Sequence, residues 1–242
     1  RMMDLEIRCV AGALLLCAGQ SIAASDPLGP VFARGVDASQ PLVSATIERA
    51  RPIAAREAVL TAGDIGDEVT LNIFADAMHD AVIDRIDRSG PASFTWSGQL
   101  LNEEGERDEG RFVLAYEQGA VMGALWTEAG ETFELRSDEF GRLWATELDG
   151  AAFEPCATTD EHRVDGAEDQ GFGAVGKSGT PCADDGSIID VLVVYTPSAR
   201  SSMGGTNNAL ATVNAAIAST NTAYAASNVD TELRLVYAGE SN

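Results

Sequence analysis

Few side chains in this chain can do acid–base, nucleophilic or metal chemistry. Its 242 residues include two histidines, His79 and His162, four cysteines at 9, 17, 156 and 182, and a single lysine, Lys177. A zinc site with three histidine ligands cannot be built from two histidines. His162 stands between Glu161 and Arg163, with no second histidine at helical spacing. His79 lies beside Asp80 and close to Asp76, and is expected to be a solvated histidine rather than a ligand. Residues 58–153 contain no metal or nucleophile constellation. Lys177, flanked by Gly176 and Ser178, offers a basic residue for a protease to cut beside.

Charge narrows the classes. Thirty-eight acids against sixteen bases give a net charge of −22. Attraction to a nucleic-acid backbone needs a basic face, so a nucleic-acid role is excluded as an expectation. An apolar share of 45% is enough for a packed core.

The N-terminus has the layout of a signal peptide. A short polar stretch over 1–8 precedes an apolar run, CVAGALLLCA, at 9–18, and then small residues up to 25. Cleavage is expected after Ala23 or Ala24, giving a secreted protein, extracellular or periplasmic. The alternative is a buried N-terminal helix. The run is shorter than the roughly 20 residues a spanning helix needs, so no stable membrane anchor is expected. Loss of residues 1–24 would leave Cys156 and Cys182, an even pair that suggests one disulfide in an oxidising compartment.

Three regions must position whatever chemistry exists. Residues 25–57 carry four prolines and read as an irregular leader with one short strand. Residues 58–153 read as antiparallel β, a sandwich or a curled meander, with alternating runs such as VTLNIF (69–74), SFTWSG (93–98), GRFVLAY (110–116) and TFELRS (132–137). Within it AMHDAVIDRID (77–87) is expected to be helical, from the apolar spacing of Met78, Val82, Ile83 and Ile86. Residues 154–187, rich in glycine and acids, read as an exposed linker, either a plain spacer or a processing site.

Residues 188–242 form the last region. The β-branched run at 188–196 predicts a strand buried on both faces. Residues 208–227 predict a helix with Leu210, Val213, Ile217 and Tyr224 along its apolar face, and with Asn214 and Asn221 needing partners. Residues 231–239 predict a second strand, parallel to the first. The whole chain is thus expected to be α+β, an antiparallel β region followed by an incomplete α/β unit.

The C-terminal residues carry a resemblance. The segment from Asp190 to Arg200, DVLVVYTPSAR, the helix with Asn221 and Tyr224, and the strand LRLV (233–236) resemble the opening of a metzincin-type zinc metalloprotease domain. The likeness is to bacterial secreted peptidyl-Asp metalloendopeptidases and reprolysin-like proteins. Trp96 to Gly98 (W-S-G) and Gly123 to Trp126 (G-A-L-W) are similar to features of their propeptides. The resemblance implies a zymogen made of a signal peptide (1–24), a β-rich propeptide (25–153), a linker (154–187) and the start of a catalytic domain (188–242). It implies a zinc cofactor, extracellular protein substrates, and a propeptide bound to its own catalytic domain. The family's H-E-x-x-H-x-x-G-x-x-H motif is absent, so no catalytic or zinc residue carries over, and the chain alone is expected to be an inactive fragment. The resemblance also offers Cys156 a second role, as a cysteine-switch ligand to zinc, beside its pairing with Cys182. A non-enzymatic exported β-sandwich binding module is the alternative reading.

Overall fold

The computed structural model describes residues 27–35, 44–153 and 187–241. Ala23, Ala24, Cys156, His162, Lys177 and Cys182 lie outside them, and so does nearly all of the expected linker. The described chain is α+β and mostly antiparallel. Nine strands form one sheet: β1 (Phe32–Arg34), β2 (Ile47–Ala55), β3 (Glu68–Phe74), β4 (Ala77–Gly90), β5 (Ser93–Leu101), β6 (Arg107–Glu117), β7 (Ala120–Trp126), β8 (Thr132–Ser137) and β9 (Leu143–Leu148). From β3 to β9 each strand pairs with the next, and β9 then pairs with β2, and β2 with β1. The curled meander is therefore correct, and the leader is not irregular: it supplies two strands of the same sheet.

The sheet nearly closes into a barrel. Its first and last strands meet where Leu28 N–H donates to Glu68 O (2.9 Å) and Val31 N–H to Thr70 O (2.9 Å). Asn72 strengthens this seam. Its Oδ1 accepts from Phe32 N–H (2.9 Å) and its Nδ2 donates to Phe32 O (2.8 Å), so one side-chain amide acts as a rung of the ladder. This near-closure shortens the exposed strand edges, which otherwise invite aggregation.

The barrel is filled by large side chains. Trp96, Phe32, Phe94, Phe112, Phe133, Leu71, Ile73, Ile83 and Leu114 are almost wholly buried in one cluster. The short helix α1 (Glu57–Ala62) adds Leu60 to this core. Trp96 and Gly98 of the W-S-G run alternate inward. A side chain at Gly98 would strike the Val82 carbonyl and the Phe112 ring, so the tight contact between strands requires glycine there.

Residues 77–87 are a strand, not a helix. Ala77, Ala81 and Ile83 are buried on one face, whereas Met78, counted toward the helical face, is exposed. Two ready partners decide it. β3 pairs with the first part of β4 (Ala77 to Val82) and β5 with the rest (Ala81 to Gly90), an option the local pattern does not reveal.

The C-terminal elements follow expectation more closely. β10 (Ile188–Tyr195) and β11 (Glu232–Glu240) form a two-stranded parallel sheet. Between them run α2 (Pro197–Ser202) and the long helix α3 (Thr206–Ala226). Against expectation, β10 is not buried on both faces. Val191 and Val193 are half-covered, while Leu192 and Val194, on the opposite side, are 61% and 52% exposed.

Replacing Asn72 by Ala should open the seam. Two hydrogen bonds are lost and the Phe32 amide and carbonyl are left unpaired, at a cost of about 1–3 kcal/mol. A lower melting temperature together with faster amide exchange at Val31 and Phe32 is expected; an unchanged melt would show that the seam does not limit stability.

Candidate functional site

The region with the most specific geometry is the junction between the barrel and the C-terminal unit. Strand β6 prepares it. In GRFVLAY, Phe112, Leu114 and Tyr116 enter the barrel core, while Val113 and Ala115 face outward and are equally buried. Helix α3 covers them. Ala211, Ala215 and Ala218 of α3 pack with Val113, Ala115 and Ala120, flanked by Met122 and Trp126. The offsets of four and three put these alanines on one helix face. Each buried methyl contributes about 0.8 kcal/mol, and the absence of longer side chains lets the helix lie close to the wall.

The face that seats is therefore not the expected one. Leu210, Val213, Ile217 and Tyr224 are only half-buried. The helix is a middle layer, with alanines toward the barrel and larger residues on other faces.

Polar contacts fix the register of α3. At its start Asn208, nearly buried, donates from Nδ2 to Asp138 O (3.1 Å) and Ser137 O (3.3 Å) in the β8–β9 turn. The turn is organised by Asp138. Its carboxylate accepts from the Phe140 amide (2.9 Å), the Arg142 amide (2.9 Å), Arg142 Nε (2.7 Å) and Trp144 Nε1 (3.1 Å). Burial pushes the Asp138 pKa up, but the bonds from Arg142, Trp144 and Phe140 outweigh it and hold the group below its ordinary value. Gly204 makes the approach possible. Its φ is +84°, and a Cβ there would sit 2.7 Å from Glu139 Cα.

Near the other end of α3, Asn221 repeats the device of Asn72. Its Oδ1 accepts from Leu233 N–H (2.7 Å) and its Nδ2 donates to Leu233 O (2.9 Å). The need for a partner at Asn221 is thereby met, and the edge of β11 is capped by a side chain. Asn214 instead lines two adjoining cavities of about 680 and 450 Å³ that separate the β4–β5 end of the barrel from β11. An ion pair between Arg85 and Glu232 (2.5 Å) crosses this gap.

Five residues of the Asp190–Arg200 segment have structural tasks. Asp190 pairs with Arg234 of β11 at 2.7 and 3.0 Å. Tyr195 is buried. Thr196 caps α2 by accepting from Ala199 N–H (3.1 Å), and Pro197 occupies the first turn, where a missing N–H does no harm. Arg200 reaches Glu240 at 2.8 Å, tying α2 to the end of β11. The segment thus builds a βαβ unit and presents no reacting group.

His79 is half-buried rather than fully solvated. Strand alternation turns its ring inward, 5.8 Å from the Phe133 ring, and its Nε2 is buried without a hydrogen-bond partner. Burial lowers its pKa below the ordinary 6.5, against the pull of Glu131, Asp108 and Asp80. Among the described residues no three His, Cys, Asp or Glu side chains gather as metal ligands. His79 is the one histidine among the described residues and belongs to no group of three ligating side chains, so the described residues do not build a zinc site. Among the described residues no helix is long and apolar enough to cross a membrane.

Comparison with known proteins adds little. No family model matches the chain, and no curated protein does. Among solved structures, a chain from a "Structure of a chaperone-substrate complex" is 15% identical and aligns over 52% of this chain and 92% of its own, with a TM-score of 0.36. A likeness of that size supports no conclusion about fold or function.

Sequence reading found Asn221 and the helix itself but missed Asn208, Asp138 and the alanine face. The signal was present as Asn208, Ala211, Ala215 and Ala218 at offsets of three, four and three.

Two measurements check this geometry. Asn221→Leu should leave the Leu233 amide and carbonyl unpaired and cost about 1–2 kcal/mol in a thermal melt; a neutral result would mean that water replaces the amide freely. A neutral His79 is favoured by the fold, so its contribution is complete above pH 6.5 and is lost as pH falls below that. The carboxyls of Asp76, Asp138 and Asp190 are held below 3.8 and act only in stronger acid. The melting temperature should therefore drop from about pH 7.5 to about pH 5, and His79→Leu should flatten that slope. An unchanged slope would assign the acid sensitivity elsewhere.

Proposed function

We propose that this chain is the non-catalytic portion of an exported zinc metalloendopeptidase zymogen. In this reading the barrel is the prodomain, and β10, α3 and β11 open the catalytic domain. The observation that supports it is the uncovered outer face of the parallel pair. Parallel sheets are normally covered on both faces. Here Leu192, Val194 and Tyr237, which share a face, are each more than half exposed. Such a pair calls for further strands and a second layer, as a larger α/β domain would supply. The complete core of the barrel, by contrast, suits a unit that folds first and holds another.

The zinc ligands and the general base of this reading are not among the described residues, and no catalytic step is assigned to them. Extracellular proteins would be the substrates, with cleavage beside acidic residues implied by the family likeness alone. Export by the N-terminal segment, processing near Lys177 and either role of Cys156 belong to the same proposal. A non-enzymatic exported binding module is the second reading. The self-contained barrel favours it, with the exposed β10–β11 face as its contact surface.

The natural reading frame distinguishes them. Its expressed product is expected to carry stoichiometric zinc by metal analysis and to hydrolyse Asp-containing peptides in a chelator-sensitive way, while residues 1–242 alone should show neither property. A product without zinc or hydrolysis would overturn the protease reading.

A further inference from the structure

We propose that the larger cavity between the barrel and β11 is a binding site for an organic cation, a primary ammonium or guanidinium group on an apolar stem. The inference goes beyond the protease reading and uses none of its chemistry. At about 680 Å³ the cavity falls within the roughly 300–1,000 Å³ of small-molecule sites. The turns after β4 and β6 form one wall, and α3 and β11 form the other. Glu117, at the end of β6, carries the argument. It lines the cavity yet is only 5% exposed. Ser93 Oγ donates to its Oε2 and is itself linked to Ser89 Oγ, while Gln118 Nε2 reaches its Oε1 at 3.4 Å. Among the described residues no cationic side chain pairs with it. A buried carboxylate bonded only to neutral donors is costly until a cation joins it. It can accept about four hydrogen bonds, so places remain for a ligand.

The rest of the cavity fits the same class of ligand. Asn214 of α3 lines it from the opposite wall, and no hydrogen bond from the described residues reaches its side-chain amide. Leu210 and Leu235 supply apolar surface for a stem. Gln118 N–H donates to Ala92 O (2.7 Å), which ties the turn carrying Glu117 to the turn carrying Ser93 and holds the polar end ready. An anion is disfavoured. In the adjoining cavity Arg85 is engaged by Asp87 (2.8 Å) and Glu232 (2.5 Å), and Arg88 donates to Gly63 O (2.8 Å). The net charge of −22 also raises the concentration of cations near the surface.

Pentylamine and butylguanidine, titrated into the labelled full chain at about 150 mM salt, test this by NMR. Saturable shifts are expected at the amides of Ala92 and Gln118 and at the Asn214 side chain, with a Kd of about 1 mM. Pentanol, the neutral counterpart, should bind about tenfold more weakly. Glu117→Gln keeps an acceptor for Ser93 but removes the charge, and should weaken both cations about tenfold without lowering the melting temperature. Leu210→Trp should fill the cavity and abolish the shifts with Glu117 still in place. Circular dichroism confirms that each variant is folded. A short peptide with one lysine separates the sources: tighter binding than pentylamine identifies a polypeptide side chain, and equal or weaker binding a free amine. No saturable shift, shifts spread over the acidic surface, or equal binding by pentanol would overturn the site. So would unchanged binding in a folded Leu210→Trp protein. Each of these results leaves the zinc test of the protease reading untouched.

Discussion

Helix α3 has to satisfy two surfaces at once, and the arrangement of the chain follows from that. On one side lies the barrel wall, whose outward residues on β6 and β7 are apolar and cannot face water without cost. On the other lies a two-stranded parallel sheet, which has too little core to stand alone. Small residues solve the first problem because they let the helix approach closely. Larger residues and Asn221 address the second. The helix consequently lacks a single dominant apolar stripe, as expected of an element buried between layers rather than on a surface.

Side-chain amides are used twice where the backbone runs out of partners. Asn72 supplies a rung at the barrel seam and Asn221 supplies one at the edge of β11. In both cases the amide offers one donor and one acceptor to the N–H and C=O of a single residue. A carboxylate could accept but not donate, and an aliphatic side chain could do neither. The same economy appears at Asp138, where one carboxylate gathers the donors of a tight turn and so presents its carbonyls to Asn208.

Much of this was legible in the sequence. Alternation located most barrel strands, and the β-branched run, the alanine-rich helix and the final strand gave the βαβ unit in the right order. The failures share a cause. Residues 77–90 and the leader acquire their structure from neighbouring strands, and no local pattern reports which neighbours will be present. The inward turn of His79 depends on the same pairing. The seat of α3 was hidden for another reason: alanines register as helix formers before they register as a contact surface. In GRFVLAY, however, five consecutive apolar residues (112–116) already announced a strand covered on both faces.

The parallel strand pair owes its order to α3 seated on the barrel. Native-state hydrogen exchange at increasing denaturant tests this directly. The amides of α3 and those of β10 and β11 should open together, with one shared free energy and one denaturant slope, before the barrel core around Phe112 and Leu114 opens. Exchange of β10 and β11 independent of α3, or protection outlasting that of the helix, would contradict it.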